Sequence, residues 1–318
     1  MVKILKRYQN GNYIVTIFDD GTKIRFTEDD YFKPAFAENC DVCITKRCDG
    51  GCKFCYENCT PTGKHANLFN INLVSDTDIH IEPAQEWLKN LHPGTELALN
   101  GNDLSHPALN PACPWLLIYL QKQGIIVNLT VNQIHFMKNY SVIKDWVDKK
   151  YIMGLGVSLR DSSDKEFIKR IQEFPNAVIH TIAGILTQVD IENLAGKRLK
   201  LLILGYKSLG RGSLFEQENG EHIFLRKEIL KDMLPDLSNL FKVVSFDNLA
   251  LEQLNVKDLI FKGREQEWEE FYMGNDGEFT FYIDAVNEQY SMHSCVPIKD
   301  RKSSVGLSID EMFHSFHP

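Results

Sequence analysis

Apolar and polar residues alternate in short runs along this chain, and the runs are spaced by longer amphipathic stretches. Residues 1–26 read as short strands, with turn signals NGN at 10–12 and DDGT at 19–22 between the β-rich runs IVTIF and KIRF. From residue 40 onward, strands are expected at 40–46, 95–100, 125–130, 153–159, 177–182, 200–205 and 241–246. Helices are expected near 108–122, 133–149, 164–173, 187–195 and 224–235. Strands that are apolar nearly throughout and separated by helices imply a parallel sheet covered on its faces. Such sheets bind ligands at the carboxyl ends of their strands. GEFTFYIDAV at 277–286 and QYSMHSCV at 289–296 suggest a closing β-hairpin instead of another β–α unit.

Composition narrows the picture. The chain has 318 residues, 43% of them hydrophobic, enough for one large α/β domain or two ordinary ones. A formal net charge of -8 and the lack of a strong basic run argue against a nucleic-acid partner and favour a small-molecule substrate. The start, MVKILKRYQNGNYIV, has no apolar run that would make a signal peptide or membrane span, so no membrane partner and a cytoplasmic location are expected. No G-x-G-x-x-G follows the first strand, which excludes a dinucleotide-binding reading.

Six of the eight cysteines fall between positions 40 and 59. In a reducing compartment that density reads as metal or iron–sulfur ligation. Cys48, Cys52 and Cys55 stand in C-x3-C-x2-C spacing, with Phe54 before the last and Tyr56 after it. Three thiolates on an eight-residue loop could face one iron–sulfur cube and leave one iron open. Cys40, Cys43, Cys59 and His65 could form a zinc site, but Cys40 and Cys43 lie on opposite faces of an ideal strand and read better as small buried hydrophobes.

On this cysteine loop the sequence resembles the radical S-adenosylmethionine (SAM) superfamily, over about residues 38 to 250. The resemblance implies an α/β fold: a partial (β/α)6 TIM-like barrel over 37–250, a small N-terminal β appendage over 1–36, and a C-terminal extension over 251–318 whose hairpin covers the barrel. It implies a [4Fe–4S] cluster on Cys48, Cys52 and Cys55, SAM as cofactor, and a low-potential electron donor such as flavodoxin or ferredoxin. The SAM-binding positions it implies are Phe54, Tyr56, Asn100, Gly101, Asn102, Asp103, Ser158, Arg160, Leu204 and Tyr206. Asn102 and Asp103 depart from the family's Gly-Gly-Glu-Pro-like motif, the aspartate keeping the charge on a shorter arm. An ordinary loop would carry the same residues.

The expected chemistry is reductive SAM cleavage to a 5'-deoxyadenosyl radical, which takes hydrogen from a small substrate. Asp161, Asp247, Asp284 and Cys295 are candidate substrate contacts, because a carboxylate accepts two hydrogen bonds from a guanine-like edge. The specific expectation is queuine lyase, cutting a C–N bond to release 7-aminomethyl-7-deazaguanine, with His180, Lys207 and His293 as candidate proton donors. The alternatives are a radical SAM enzyme that modifies peptides and a non-catalytic metal-binding interaction protein.

Overall fold

The structure, a computed structural model, describes residues 2–75, 78–100 and 112–317. Three strands open the chain: β1 (Ile4–Asn10), β2 (Tyr13–Phe18) and β3 (Lys23–Phe26), an antiparallel sheet in that order. Gly11 makes the first turn at φ 60 with the Lys33 carbonyl where a Cβ would stand, so only glycine fits there. A separate antiparallel pair, β5 (Phe69–Ser75) and β6 (Asp78–Pro83), was not anticipated from the sequence.

Among the described residues, the large sheet has ten strands. In chain order they are β4 (Asn39–Cys43), β7 (Glu96–Asn100), β8 (Ile126–Asn132), β9 (Gly154–Ser158), β10 (Ala177–Ile182), β11 (Lys200–Leu204), β12 (Val243–Phe246), β13 (Thr280–Asp284), β14 (Gln289–Ser291) and β15 (Lys302–Ser303). Their spatial order is β12-β11-β10-β9-β8-β7-β4-β13-β14-β15. The strands from β12 to β13 run parallel, while β14 and β15 are antiparallel additions. This is a mixed α/β architecture with an open sheet: β12 and β15 end it without pairing to each other.

The expected parallel strands are all present, with ends that differ by up to three residues. The expected hairpin pairs as β13 and β14, but β13 also joins the parallel sheet beside β4. Helices are α1 (Ala112–Lys122), α2 (Gln133–Lys138), α3 (Tyr140–Asp148), α4 (Lys165–Ile171), α5 (Gln188–Leu194), α6 (Arg211–Leu240), α7 (Asn248–Gln253), α8 (Val256–Ile260), α9 (Glu265–Phe271) and α10 (Ile309–His314). The single helix expected over 133–149 is two, joined at Asn139, which leaves helical geometry at φ -114 and ψ 22. The helix expected at 224–235 is part of the much longer α6, interrupted at Asn219.

Period-two patterning separates the sheet's faces. Cys40, Val42, Leu97, Leu99, Val127, Leu129, Val131, Leu155, Val157, Ile179, Leu201 and Ile203 enter the main core under the helices. Their neighbours on the same strands face the other way and line one cavity of about 980 Å³. One cavity shared by residues from β4 through β12 requires the sheet to curl around it.

The N-terminal sheet packs against one end of that cavity. Tyr13, Val15 and Ile17 form a small second core with Ile126 and Phe279. Glu38, wholly buried, is held by Tyr13 at 2.7 Å, Arg25 Nε at 2.7 Å and Lys23 Nζ at 3.3 Å, and Lys23 also reaches Glu96 at 2.5 Å. Burial opposes ionisation of Glu38, but Lys23, Arg25 and Tyr13 outweigh it and hold its carboxyl below the ordinary value.

Candidate functional site: a polar chamber

The side chains that β4, β7, β8, β9 and β10 turn into the cavity are mostly polar. They include Asn39, Asp41, Cys43, Asn100, Asn128, Thr130, Asn132, Ser158 and His180. The turn at 19–22 closes the end nearest the N-terminal sheet: the Asp19 carbonyl accepts from Asn176 Nδ2 at 2.9 Å and the Asp20 carbonyl from Lys200 Nζ at 3.3 Å.

β9 contributes bare backbone. A Cβ on Gly154 would lie 2.3 Å from Asn128 Oδ1, and one on Gly156 would lie 2.3 Å from His180 Cε1. The His180 imidazole therefore rests across the strand where any other residue would exclude it. Loss of water deep in the chamber pushes that imidazole down to about 4, so it is neutral at ordinary pH.

The chamber also brings charge together. Asp41 on β4 opens into the chamber, and Asp247 follows β12. Burial raises the carboxyl of Asp41, with Asp247 and Asp276 adding to the rise and Lys207 opposing it. Burial likewise raises Asp247, again opposed by Lys207. Asp247 also caps α7: its Oδ1 accepts from Gly205 N and Ala250 N, each at 2.8 Å. Asp276 Oδ1 accepts from Asn248 Nδ2 at 2.8 Å.

Lys207, three residues past β11, donates to Ser294 Oγ at 2.7 Å and lies 4.1 Å from the centre of the Tyr56 ring. Ser294 hydrogen-bonds Tyr56 in turn. His293 Nδ1 accepts from Cys295 N at 3.2 Å, which leaves the ring proton on Nε2 in the neutral form. Burial raises the Cys295 thiol, and Lys207 opposes that rise. His180, Lys207, His293, Asp247, Cys295, Phe54, Tyr56, Asn100, Ser158 and Leu204 thus share one chamber.

Other expected site residues are placed elsewhere or occupied. Asp161 is outside the chamber, its Oδ1 accepting from Ser163 N at 2.9 Å and Ser163 Oγ at 2.6 Å in a surface turn. Asp284 is fully buried and outside it too, accepting from Arg301 Nη1 and Lys46 Nζ at 3.0 Å each and from Asn287 Nδ2 at 2.9 Å. Lys46 also pairs with Glu57, which accepts from the Tyr282 hydroxyl at 2.8 Å. Asp284 is therefore the node of an internal ion network. Arg160 does not line the chamber either: its guanidinium donates to the Gly50 carbonyl and its backbone N to Gln133 Oε1. Tyr206 lies at the chamber wall but is 2% exposed, with its hydroxyl committed to the Gly212 carbonyl at 2.6 Å. Gly101, Asn102 and Asp103 lie outside the described residues.

The cysteine loop requires the principal correction. Among the described residues, no group of three or more histidine, cysteine, aspartate or glutamate side chains is disposed to hold a metal ion. A cluster site on Cys48, Cys52 and Cys55 needs such a group, and the expected [4Fe–4S] cofactor falls with it. So do the radical SAM reading, its deoxyadenosyl chemistry and the queuine lyase assignment.

The thiols have individual surroundings. Cys48 is buried and its Sγ accepts from Gly50 N at 3.3 Å. Burial raises the Cys52 thiol. Cys55 is hydrogen-bonded to Cys59, and that bond holds Cys55 below its ordinary value while raising Cys59. Cys40 belongs to the core, whereas Cys43 faces the chamber and donates to the Thr45 carbonyl at 3.5 Å.

Sequence reasoning passed over Asp41, Asp276, Ser294, Asn128 and Thr130. Period-two alternation was a usable signal for Asp41, Asn128 and Thr130, each flanked by core residues on its strand. No local signal marked Asp276 or Ser294. No family model matches the chain, and no curated protein matches it significantly. Among the described residues, no helix is long and apolar enough to cross a membrane.

Proposed function

We propose that this protein binds a small, polar, donor-rich molecule in the chamber of a partial barrel. The observation that carries the reading is the set of polar side chains that successive parallel strands turn into a single cavity of about 980 Å³, whose remaining wall is apolar. A sheet face with no ligand role would be expected to bury apolar side chains, as the opposite face of this sheet does.

The charges suggest the ligand's character. Asp41, Asp247 and Asp276 act on one another, with Lys207 as the opposing cation. Carboxylates accept hydrogen bonds and cannot donate them when ionised. An amine, an amidine or an amino-substituted heterocycle supplies the donors and relieves the repulsion between Asp41 and Asp247. Neutral His180, with Asn128 and Thr130 near it, offers uncharged polar partners along the chamber wall. Lys207, His293 and Cys295 are the groups that would exchange protons with such a ligand. In this reading residues 1–36 floor the chamber, 37–250 form its curled wall, and 251–318 cover it.

Isothermal titration with three panels of small compounds (cationic amines and amidines, neutral amino-heterocycles, and carboxylates) tests the proposal. Donor-bearing compounds should bind, and Asp41→Asn should weaken them at least about tenfold, the worth of one charged hydrogen bond. A preference for carboxylates, or binding unaffected by Asp41→Asn, would sink it.

A further inference from the structure

The loop after β4 carries two thiols whose contact the chamber reading leaves unused. We propose that Cys55 and Cys59 are a reversible modification site, joining as an intramolecular disulfide when the protein meets a small-molecule disulfide.

The geometry is local. Cys55 N donates to the Cys52 carbonyl at 3.3 Å and Asn58 N to the Cys55 carbonyl at 3.4 Å, so the chain turns back on itself between the two cysteines. Asn58 completes the turn in the left-handed region, at φ 54. The Cys59 side chain is thereby brought to hydrogen-bond that of Cys55. Both are free thiols, partly exposed, and both line the chamber.

The start of α6 fastens this turn. Arg211 N donates to Asn58 Oδ1 at 2.8 Å, and its guanidinium donates to the Cys52 carbonyl at 3.1 Å and the Cys59 carbonyl at 3.0 Å. Gly210 approaches so closely that a Cβ would stand 2.5 Å from the Tyr56 carbonyl. The turn that carries both thiols is therefore fastened by contacts that do not depend on the sulfurs. Cys40 and Cys113 are buried, lie outside the chamber and are shielded from a water-borne oxidant.

The exchange balances in two steps. The Cys55 thiolate attacks one sulfur of a small disulfide, forming a mixed disulfide and releasing one thiolate. Cys59 then gives up its proton, attacks the Cys55 sulfur and releases the second small thiol. The protein loses two hydrogens and two electrons, and the small disulfide is reduced to two thiols. Dithiothreitol reverses the reaction.

The test is oxidation of the full chain with glutathione disulfide under native conditions, followed by intact mass and peptide mapping. Wild type should lose two hydrogens, with the link mapped to Cys55–Cys59 and removed by dithiothreitol. Cys52→Ser should behave as wild type. Cys59→Ser should retain one glutathione on Cys55 without an internal disulfide, and Cys55→Ser should form no link in this loop. Circular dichroism of each reduced variant checks that the fold persists. A link mapped to Cys52, or a wild-type protein that stays fully reduced, would overturn the proposal.

Discussion

Lys207 Nζ donates to Ser294 Oγ at 2.7 Å, although the strands they follow, β11 and β14, stand seven places apart in the sheet. In a flat sheet seven strand spacings of about 4.8 Å would separate them by about 34 Å. The hydrogen bond thus reports the curl directly, and it joins the two sides of the chamber at its charged end.

Removing that tie should expose the acidic cluster. Ser294→Ala and Lys207→Met should each lower the unfolding free energy by about 1 kcal/mol, because Asp41 and Asp247 lose the cation facing them while the exposure of Asp41 to water screens that loss. Both carboxyls are raised above their ordinary value of 3.8, so the folded state holds protons there more tightly than the unfolded chain. Their unfavourable contribution is absent below 3.8 and grows as pH rises through the folded values. Lys207→Met should therefore be more destabilising at pH 7 than at pH 4, as urea titrations at the two pH values would show.

Glu38 carries the opposite dependence. Its folded value lies below its ordinary 4.5, so its contribution is complete above 4.5 and is lost as pH falls through the lowered value. Glu38→Gln leaves Arg25 without its carboxylate and Lys23 with Glu96 alone, and should cost about 3–5 kcal/mol at pH 7. The loss should shrink as the solution is acidified below 4.5, a trend readable from denaturation midpoints.

Gly156 and His180 should behave as a coupled pair. Gly156→Ala places a methyl group against the imidazole and should cost about 1–3 kcal/mol. His180→Ala removes the obstacle, so the same glycine substitution in that background should cost much less. In the wild type, NMR should find His180 titrating near 4. A histidine lowered from 6.5 favours the folded state fully above 6.5, and that contribution is lost as pH falls toward 4. His180→Asn should flatten this part of the stability profile.

The two aspartates excluded from the chamber should separate structure from binding. Asp284→Asn disrupts a buried network with Arg301 and Lys46 and should cost about 3–5 kcal/mol. Asp161→Ala, in an exposed turn, should change stability by no more than about 0.5 kcal/mol. Neither should alter the affinity of a chamber ligand at a temperature where the variant is folded, and calorimetry on both would check this.

Much of the architecture follows from local rules. Apolar runs bounded by turn residues placed the strands of the parallel sheet, because burying one strand face under helices needs nothing beyond its own alternation. The N-terminal strands and the closing hairpin were legible for the same reason. The β5–β6 pair escaped, since FNINLVS and DIHIEP carry a polar residue at every second or third position and no marked turn pair. The break at Asn139 escaped because the apolar pattern runs on through it.

The site was less legible, and for a different reason. Asp161 and Asp284 have the same functional group and similar positions near strand ends, yet one caps a surface turn and the other neutralises Arg301, 17 residues later. Cysteine spacing defined a loop, but where its thiols point depends on the Asn58 turn and on Arg211, which comes from α6. The sequence alone determined where the strands of the parallel sheet fall along the chain and which face of each is apolar, because those depend on neighbours in the chain. The tertiary structure alone decided that Asp41, Lys207, Asp247 and Ser294 would meet, because curling the sheet brings together charges whose interaction falls off with distance through space and takes no account of separation along the chain.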